Sequence, residues 1–382
     1  MGSQLIKNKK AAIYFGFAIV LLFAGWFVWK STASATRIAL VNFQPYQASN
    51  IALSNQDKMI KFEEVSLDNI DKLKNYDFVL GFGMGLKIDD KQRAKLTEIS
   101  KEVPMHFTSV TNPENNINSL DSLQLKKVSS YLESGNKENY QNLVRYIRKD
   151  IDGKKLFVTI PKDAIASKEN VYFHIDEKVA FNDIKSYEDY LKKNNFYKQG
   201  APKVALISGI HDPFSGNKQY LDSIIVSFQK SGLNVYPVAS FTDRIKFLSE
   251  INPNAVIYFP HGRLTMGNPD EAVNWLKQRN IPFFTPLSIL QLEEKWLEDP
   301  MGMVGGFMGQ CIVMPELDGA IYPYVLIAQE KTKDGLFLFK TIPDRLAKFT
   351  QIVNNFIDLK TIKNQDKKVA VYYFKDKKKN KL

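Results

Sequence analysis

Between residues 203 and 285, short apolar runs alternate with amphipathic stretches, and this alternation constrains the chain more than any other feature. The runs at 203–209, 234–239, 255–259 and 281–285 are apolar on both alternating faces, as in strands covered on both sides. The stretches between them, 217–230, 243–251 and 269–279, repeat apolar residues at helical spacing. Tyr220, Ile224 and Phe228, for example, share one face. A β-α-β-α-β-α-β order of this kind predicts a flavodoxin-like, doubly wound parallel sheet, which binds ligands at the carboxyl ends of its strands. Four loops fall there: His211-Asp212-Pro213, Ser240-Phe241-Thr242, His261-Gly262-Arg263 and Pro286-Leu287-Ser288.

A second alternation precedes it. Apolar runs at 37–43, 59–65, 76–81 and 105–109 read as strands, and 89–100 and 138–149 as helices, so the class is α/β with two Rossmann-like parallel-sheet domains. Gly81-x-Gly83-x-Gly85 has Leu86 where the dinucleotide fingerprint needs its third glycine. A tight turn out of a strand is therefore preferred to a phosphate loop. A polar connector at 154–200 ends at Gly200-Ala201-Pro202. The expected division is a tail and apolar segment at 1–35, an α/β domain at 36–153, the connector at 154–200 and a flavodoxin-like domain at 201–345. A helix and first strand of a further domain follow at 346–382.

Residues 11–29 contain no charge. As a helix they are roughly 28 Å long, about the thickness of a bilayer's hydrocarbon core. Tyr14 and Phe15 at one end and Trp26 and Trp29 at the other form the interfacial belt pattern. The run is longer than a signal-peptide core, which favours a retained anchor, although Ala33-Ser34-Ala35 fits a cleavage site. Lysines before the run put the N-terminus in the cytoplasm. Either reading places the bulk of the chain outside it: in a bacterium, on the periplasmic side of the inner membrane, single-pass if the anchor is retained. The net charge of +11 resides in the two ends, +5 in residues 1–37 and +6 in 367–382. The body between them is neutral, which argues against nucleic acid as a partner. Cys311 is the lone cysteine, so no internal disulfide framework exists. The sequence has no Walker P-loop, hence no ATP site, and no Ser-His-Asp elbow or HExxH helix.

Residues 296–374 carry a family resemblance. Trp296-Leu297-Glu298-Asp299-Pro300-Met301-Gly302 leads into Val313-Met314-Pro315-Glu316-Leu317-Asp318-Gly319, then a glycine turn at Lys333-Asp334-Gly335, a helix at 342–359 and a strand starting at Lys367-Lys368-Val369-Ala370-Val371. In order and motif this resembles the large subunit of cobaltochelatase (CobN) and the porphyrin-binding H subunit of magnesium chelatase, over residues 203–374. The resemblance implies a tetrapyrrole substrate (haem or another porphyrin or corrin) and iron, cobalt or magnesium as the metal. The reaction it implies is either ligase-type metal insertion or the reverse, removal of iron from haem. The apolar N-terminal run looks like the membrane-anchored, HmuS-like branch associated with haem uptake, which makes the membrane and other chelatase or haem-uptake components expected partners. Family members are far longer, and their chief metal-site residues are implied to lie beyond residue 382. The chain is thus expected to be an N-terminal portion, inactive alone.

Within this chain His261 and Glu316 are the candidate catalytic groups, as metal ligand or proton acceptor. His211, Arg263 and Tyr258 are the candidate ligand-binding groups, with both histidines opening into one crevice. The loop around Asp318-Gly319 also suits a plain turn. His106 and His174 read as packing residues, as do Met301, Met303, Met308 and Met314. A membrane-tethered, two-lobed periplasmic receptor that binds a small molecule without catalysis is the alternative function.

Overall fold

The computed structural model describes residues 2–109, 112–265, 267–303 and 305–372, with side chains from residue 15 onward. The chain forms two compact units: Met1–Lys168 with Phe214–Lys218 and Gln329–Phe339, and Glu169–Pro213 with Gln219–Ala328 and Lys340–Leu382.

The first unit opens with α1 (Gly2–Thr32), the one helix among the described residues long and apolar enough to cross a membrane. It continues through β1 (Thr36–Val41), α2 (Pro45–Ser54), β2 (Ile60–Glu64), β3 (Phe78–Phe82), α3 (Asp90–Ile99), β4 (Met105–Thr108), β5 (Ile117–Asn118), α4 (Ser122–Glu133) and α5 (Lys137–Tyr146). The sheet order is β2-β1-β3-β4-β5; the first four strands are parallel and β5 is antiparallel. Alternation along β1 shows why both faces need cover. Ile38 and Leu40 pack with Ala48, Val128, Tyr131 and Leu143 of α2, α4 and α5, whereas Ala39 and Val41 pack with Leu96 and Ile99 of α3. The start of α3 is set by a capping box: the Gln92 amide donates to Asp89 (2.7 Å) and the Asp89 amide to the Gln92 side chain (3.1 Å).

The last turn of α1 is tied into this unit. The Lys155 and Leu156 amides donate to the Thr32 carbonyl at 3.0 and 2.9 Å. Lys154 Nζ donates to the Lys30 carbonyl (2.8 Å) and pairs with Asp152 (3.3 Å). The buried Arg148 guanidinium donates to the carbonyls of Ser34 (2.8 Å), Leu156 (3.0 Å) and Phe157 (3.1 Å) and to Thr36 Oγ1 (3.0 Å). Two cations thus meet the carbonyl end of the helix, where its dipole is negative.

The second unit contains β6 (Val171–Phe173), β7 (Ala180–Phe181), α6 (Ile184–Lys193), β8 (Lys203–Ile207), α7 (Gln219–Lys230), β9 (Asn234–Ala239), α8 (Arg244–Ile251), β10 (Ala255–Tyr258), α9 (Pro269–Arg279) and β11 (Phe283–Phe284). Its sheet runs β11-β10-β8-β9-β6-β7, with β8 to β11 parallel and β6 antiparallel to β9. Counted along the chain, the parallel strands of both sheets therefore have the order 2-1-3-4, the flavodoxin-like arrangement. The connector expected at 154–200 is divided: residues up to Lys168 belong to the first unit, and β6, β7 and α6 to the second.

Beyond β11 the chain forms β12 (Leu287–Leu292), α10 (Glu293–Glu298), α11 (Gly305–Met308), a π turn (Gly309–Val313), α12 (Met314–Glu316), β13 (Val325–Lys331), β14 (Phe337–Thr341) and α13 (Pro343–Thr361). A three-stranded sheet of order β12-β13-β14 was not apparent in the sequence, and Leu287 and Ser288 begin a strand rather than a loop. The expected boundary at 345/346 falls inside α13. This helix packs Phe349 edge-on against Phe228 and Phe284, so it completes the second unit's core. No strand forms over 367–372, contrary to expectation; residues 373 and 374 and the lysine-rich tail lie outside the described residues.

Candidate functional site

The carboxyl end of β10 turns at Pro260-His261-Gly262-Arg263, and Gly262 takes a φ of 90° there, which favours glycine. The turn is held from two sides. The Gly262 amide donates to the Gln310 carbonyl (2.9 Å), and the Cys311 thiol donates to the Pro260 carbonyl (3.5 Å). Burial pushes the Cys311 thiol up to about 11, so it stays protonated. From the Pro-Glu-Leu-Asp-Gly element, Asp318 accepts Arg263 Nε (2.8 Å) and Nη2 (2.5 Å) on Oδ1 and the Leu264 amide (2.7 Å) on Oδ2. Asp318 is buried, so this element is a clamp on the β10 loop and more than a surface turn. Arg263 spends its guanidinium on that clamp and is not free at a rim.

Tyr258 is fully buried. Its hydroxyl accepts from Arg244 Nη1 (3.1 Å) and the His261 amide (3.2 Å). Arg244 also donates to the carbonyls of Ser240 (2.8 Å) and Leu264 (3.1 Å), joining the loops after β9 and β10. Arg244 is not legible as a site residue in the sequence, because an arginine in the first turn of a helix carries no mark of burial.

His211 is sealed in the core. Its Nε2 lies 2.6 Å from Ser288 Oγ, and its ring packs edge-on against Tyr220 and Phe259. Burial pushes its pKa down to about 3. His261, by contrast, is exposed. The two imidazoles follow β8 and β10 on the same sheet edge, but they do not open into one crevice. Neither His211 nor Tyr258 lines an open site, because both rings are buried. His106 and His174 are buried, as expected of packing residues.

Beside the His261 turn, the helical run through α11, the π turn and α12 leaves Met308, Val313, Met314 and Leu317 exposed, and Glu316 is exposed among them. Packing was the expectation for the methionines; only Met303 packs into a core cluster, and Met301, Met308 and Met314 reach solvent. Among the described residues, no group of three or more His, Cys, Asp or Glu is placed to hold a metal ion. In the first unit an open cleft of about 520 Å³ lies at the carboxyl edge, lined by Lys87, Asp89, Gln92, Arg93, Asn112 and Glu114 among others.

A protein-family model described as CobN/Magnesium Chelatase matches residues 129–382. The chain is 24% identical over 266 residues to the H subunit of the magnesium chelatase of Chlorobaculum parvum, covering 65% of this chain and 20% of that protein. It is 24% identical over 324 residues to an uncharacterized protein of Methanocaldococcus jannaschii, covering 78% of this chain and 24% of that one. In structure it resembles the catalytic subunit of cobaltochelatase from Mycobacterium tuberculosis, with a TM-score of 0.58 at 15% identity over 87% of this chain and 28% of that one. The chain thus spans between a fifth and about a quarter of the length of the curated relatives it matches.

Proposed function

Because the chain belongs to the CobN/magnesium chelatase family, we propose that it is the membrane-anchored part of a tetrapyrrole metallochelatase that works outside the cytoplasm, inserting metal into a porphyrin or corrin ring or removing iron from haem. Metal exchange needs an apolar seat for a flat macrocycle, a group that meets the metal and a base for the pyrrole protons. The observation that carries the reading is the exposed His261 on a clamped turn beside the exposed Met308, Val313, Met314 and Leu317. A neutral imidazole ligates iron well and can accept a proton. In this reading His261 meets the metal or takes a pyrrole proton. Glu316 is the second proton acceptor, and the metal is substrate. Arg263, Tyr258 and His211 act below the surface as positioning residues.

The test is absorption titration of the full chain, in detergent or nanodiscs, with haem and with metal-free protoporphyrin. Haem should shift its Soret band, and His261→Ala should weaken binding at least fivefold while leaving the circular dichroism unchanged. A Soret band that His261→Ala leaves untouched overturns the assignment. Export is tested by a reporter active only outside the cytoplasm, fused after Leu382; an inactive reporter refutes that orientation. Two units on sheets of the same order also suit the non-catalytic receptor, which predicts saturable binding of a small polar molecule and no response to haem.

A further inference from the structure

The segment following Lys155 presents large apolar side chains at the surface. Leu156, Phe157 and Ile160 are 53, 71 and 75% exposed. They are not at the end of a mobile excursion. The Leu156 amide is bonded to the Thr32 carbonyl, and Arg148 grips the carbonyls of Leu156 and Phe157. Phe157 has a φ of 53°, a left-handed conformation costly for an aromatic residue, and the Arg148 bond to its own carbonyl is among those that hold it there. Thr32 is the last residue of the apolar span. A residue bonded to it lies at the level where the span ends, one to two turns above Trp26 and Trp29.

We propose that residues 156–160 form an interfacial loop that dips into the same bilayer leaflet from which α1 emerges. This rests on the reading of α1 as a membrane anchor. The occupant of the apolar surface is phospholipid. Leu156, Phe157 and Ile160 meet the acyl boundary, and the exposed Lys155 and Lys162 beside them meet the phosphates. A cleft of about 360 Å³ lined by Trp26, Phe27, Lys30, Ser31, Asp152 and Lys154 lies between the helix end and the root of this loop, at headgroup depth. With two contacts on one leaflet, the first unit has a fixed orientation on the membrane. β1 starts at the membrane end, so the carboxyl edge, including Met84, lies about 20 Å away across the length of a six-residue strand.

The experiment uses the full chain in phosphatidylcholine–phosphatidylglycerol vesicles carrying spin-labelled lipid. An environment-sensitive fluorophore is attached through Val20→Cys, Phe157→Cys, Ile160→Cys or Met84→Cys. The native Cys311 is buried and protonated at neutral pH, so it stays unlabelled. The dye at 157 and at 160 should be blue-shifted and quenched at least twofold by a shallow spin label. The dye at 20 should be quenched by a deep one, and the dye at 84 by neither. Quenching at 20 with 157 and 160 behaving like 84 overturns the loop and leaves the anchor standing. No quenching at 20 overturns the anchor reading, and the proposal with it. If Phe157→Cys fails to fold, Ile160→Cys decides the matter in the same way.

Discussion

Asp318 holds a carboxylate with none of its side chain exposed, and Arg263 with the Leu264 amide makes that tolerable. Removing the carboxylate leaves the Leu264 amide without an acceptor and a largely buried guanidinium with only a long bond to the Leu317 carbonyl (3.5 Å). Asp318→Ala should therefore cost about 2–4 kcal/mol of stability, and Asp318→Asn, which keeps an acceptor for the amide, should cost less. Denaturant unfolding measures both, and equal costs would contradict the clamp. His211 makes a separate, pH-dependent statement. Its folded pKa is depressed to about 3 by burial, against about 6.5 unfolded. Its contribution is complete above pH 6.5 and is lost as pH falls toward 3, since only the unfolded chain then gains the proton. Stability to denaturant should drop in acid, by on the order of 3 kcal/mol at pH 4.5 from this group. His211→Gln should flatten that part of the profile; an unchanged slope would show that other groups dominate. His106, whose pKa burial also lowers, acts in the same direction in the first unit.

At the scale of elements, the glycines at the end of β3 serve packing and the turn that follows. A Cβ on Gly81 would overlap the Phe107 ring of β4, and Gly85 takes a φ of 68°. Gly81→Ala should cost about 1–3 kcal/mol by overpacking, read in thermal melts; a neutral result would mean that Phe107 turns away freely. The absence of a third fingerprint glycine had already pointed to a turn. Other elements were just as legible. The helix over Pro269–Arg279 and the strand over Asn234–Ala239 match the periodicity to the residue, because each is amphipathic or fully apolar and ends on a left-handed Asn or a polar loop. What escaped lacks such marks. The helix α2 begins at Pro45 and is rich in Ser and Asn, so its face reads weakly. The strands β13 and β14 pair only once the chain is folded. The site divides in the same way. The element containing Glu316 and Asp318 and the exposed His261 were visible as motif and loop. Burial of Tyr258 and His211, and the role of Arg244, depend on what packs above them, which no spacing encodes.

Over the whole molecule, two α/β units share the strand order 2-1-3-4, and the first is joined to α1 without slack. That joint bears on the proposed reading of α1 as a retained anchor and not a cleaved signal peptide. Cleavage after Ala35 would remove the Lys30, Thr32, Ala33 and Ser34 carbonyls. Those carbonyls accept Lys154, the Lys155 and Leu156 amides, and two arms of Arg148. Arg148 and Lys154 are both buried, and cleavage would remove part of each acceptor set, leaving Arg148 with Thr36 Oγ1 and the Met59, Leu156 and Phe157 carbonyls and Lys154 with Asp152. Ala33 is itself buried in the intact chain. Intact mass of the protein from the membrane fraction should therefore include residues 1–35, and Arg148→Met should destabilise the first unit without releasing the chain from the membrane. A mature N-terminus at Thr36 in a stably folded protein would mean that the acceptors left to Arg148 and Lys154 suffice, and the joint would lose its part in the architecture.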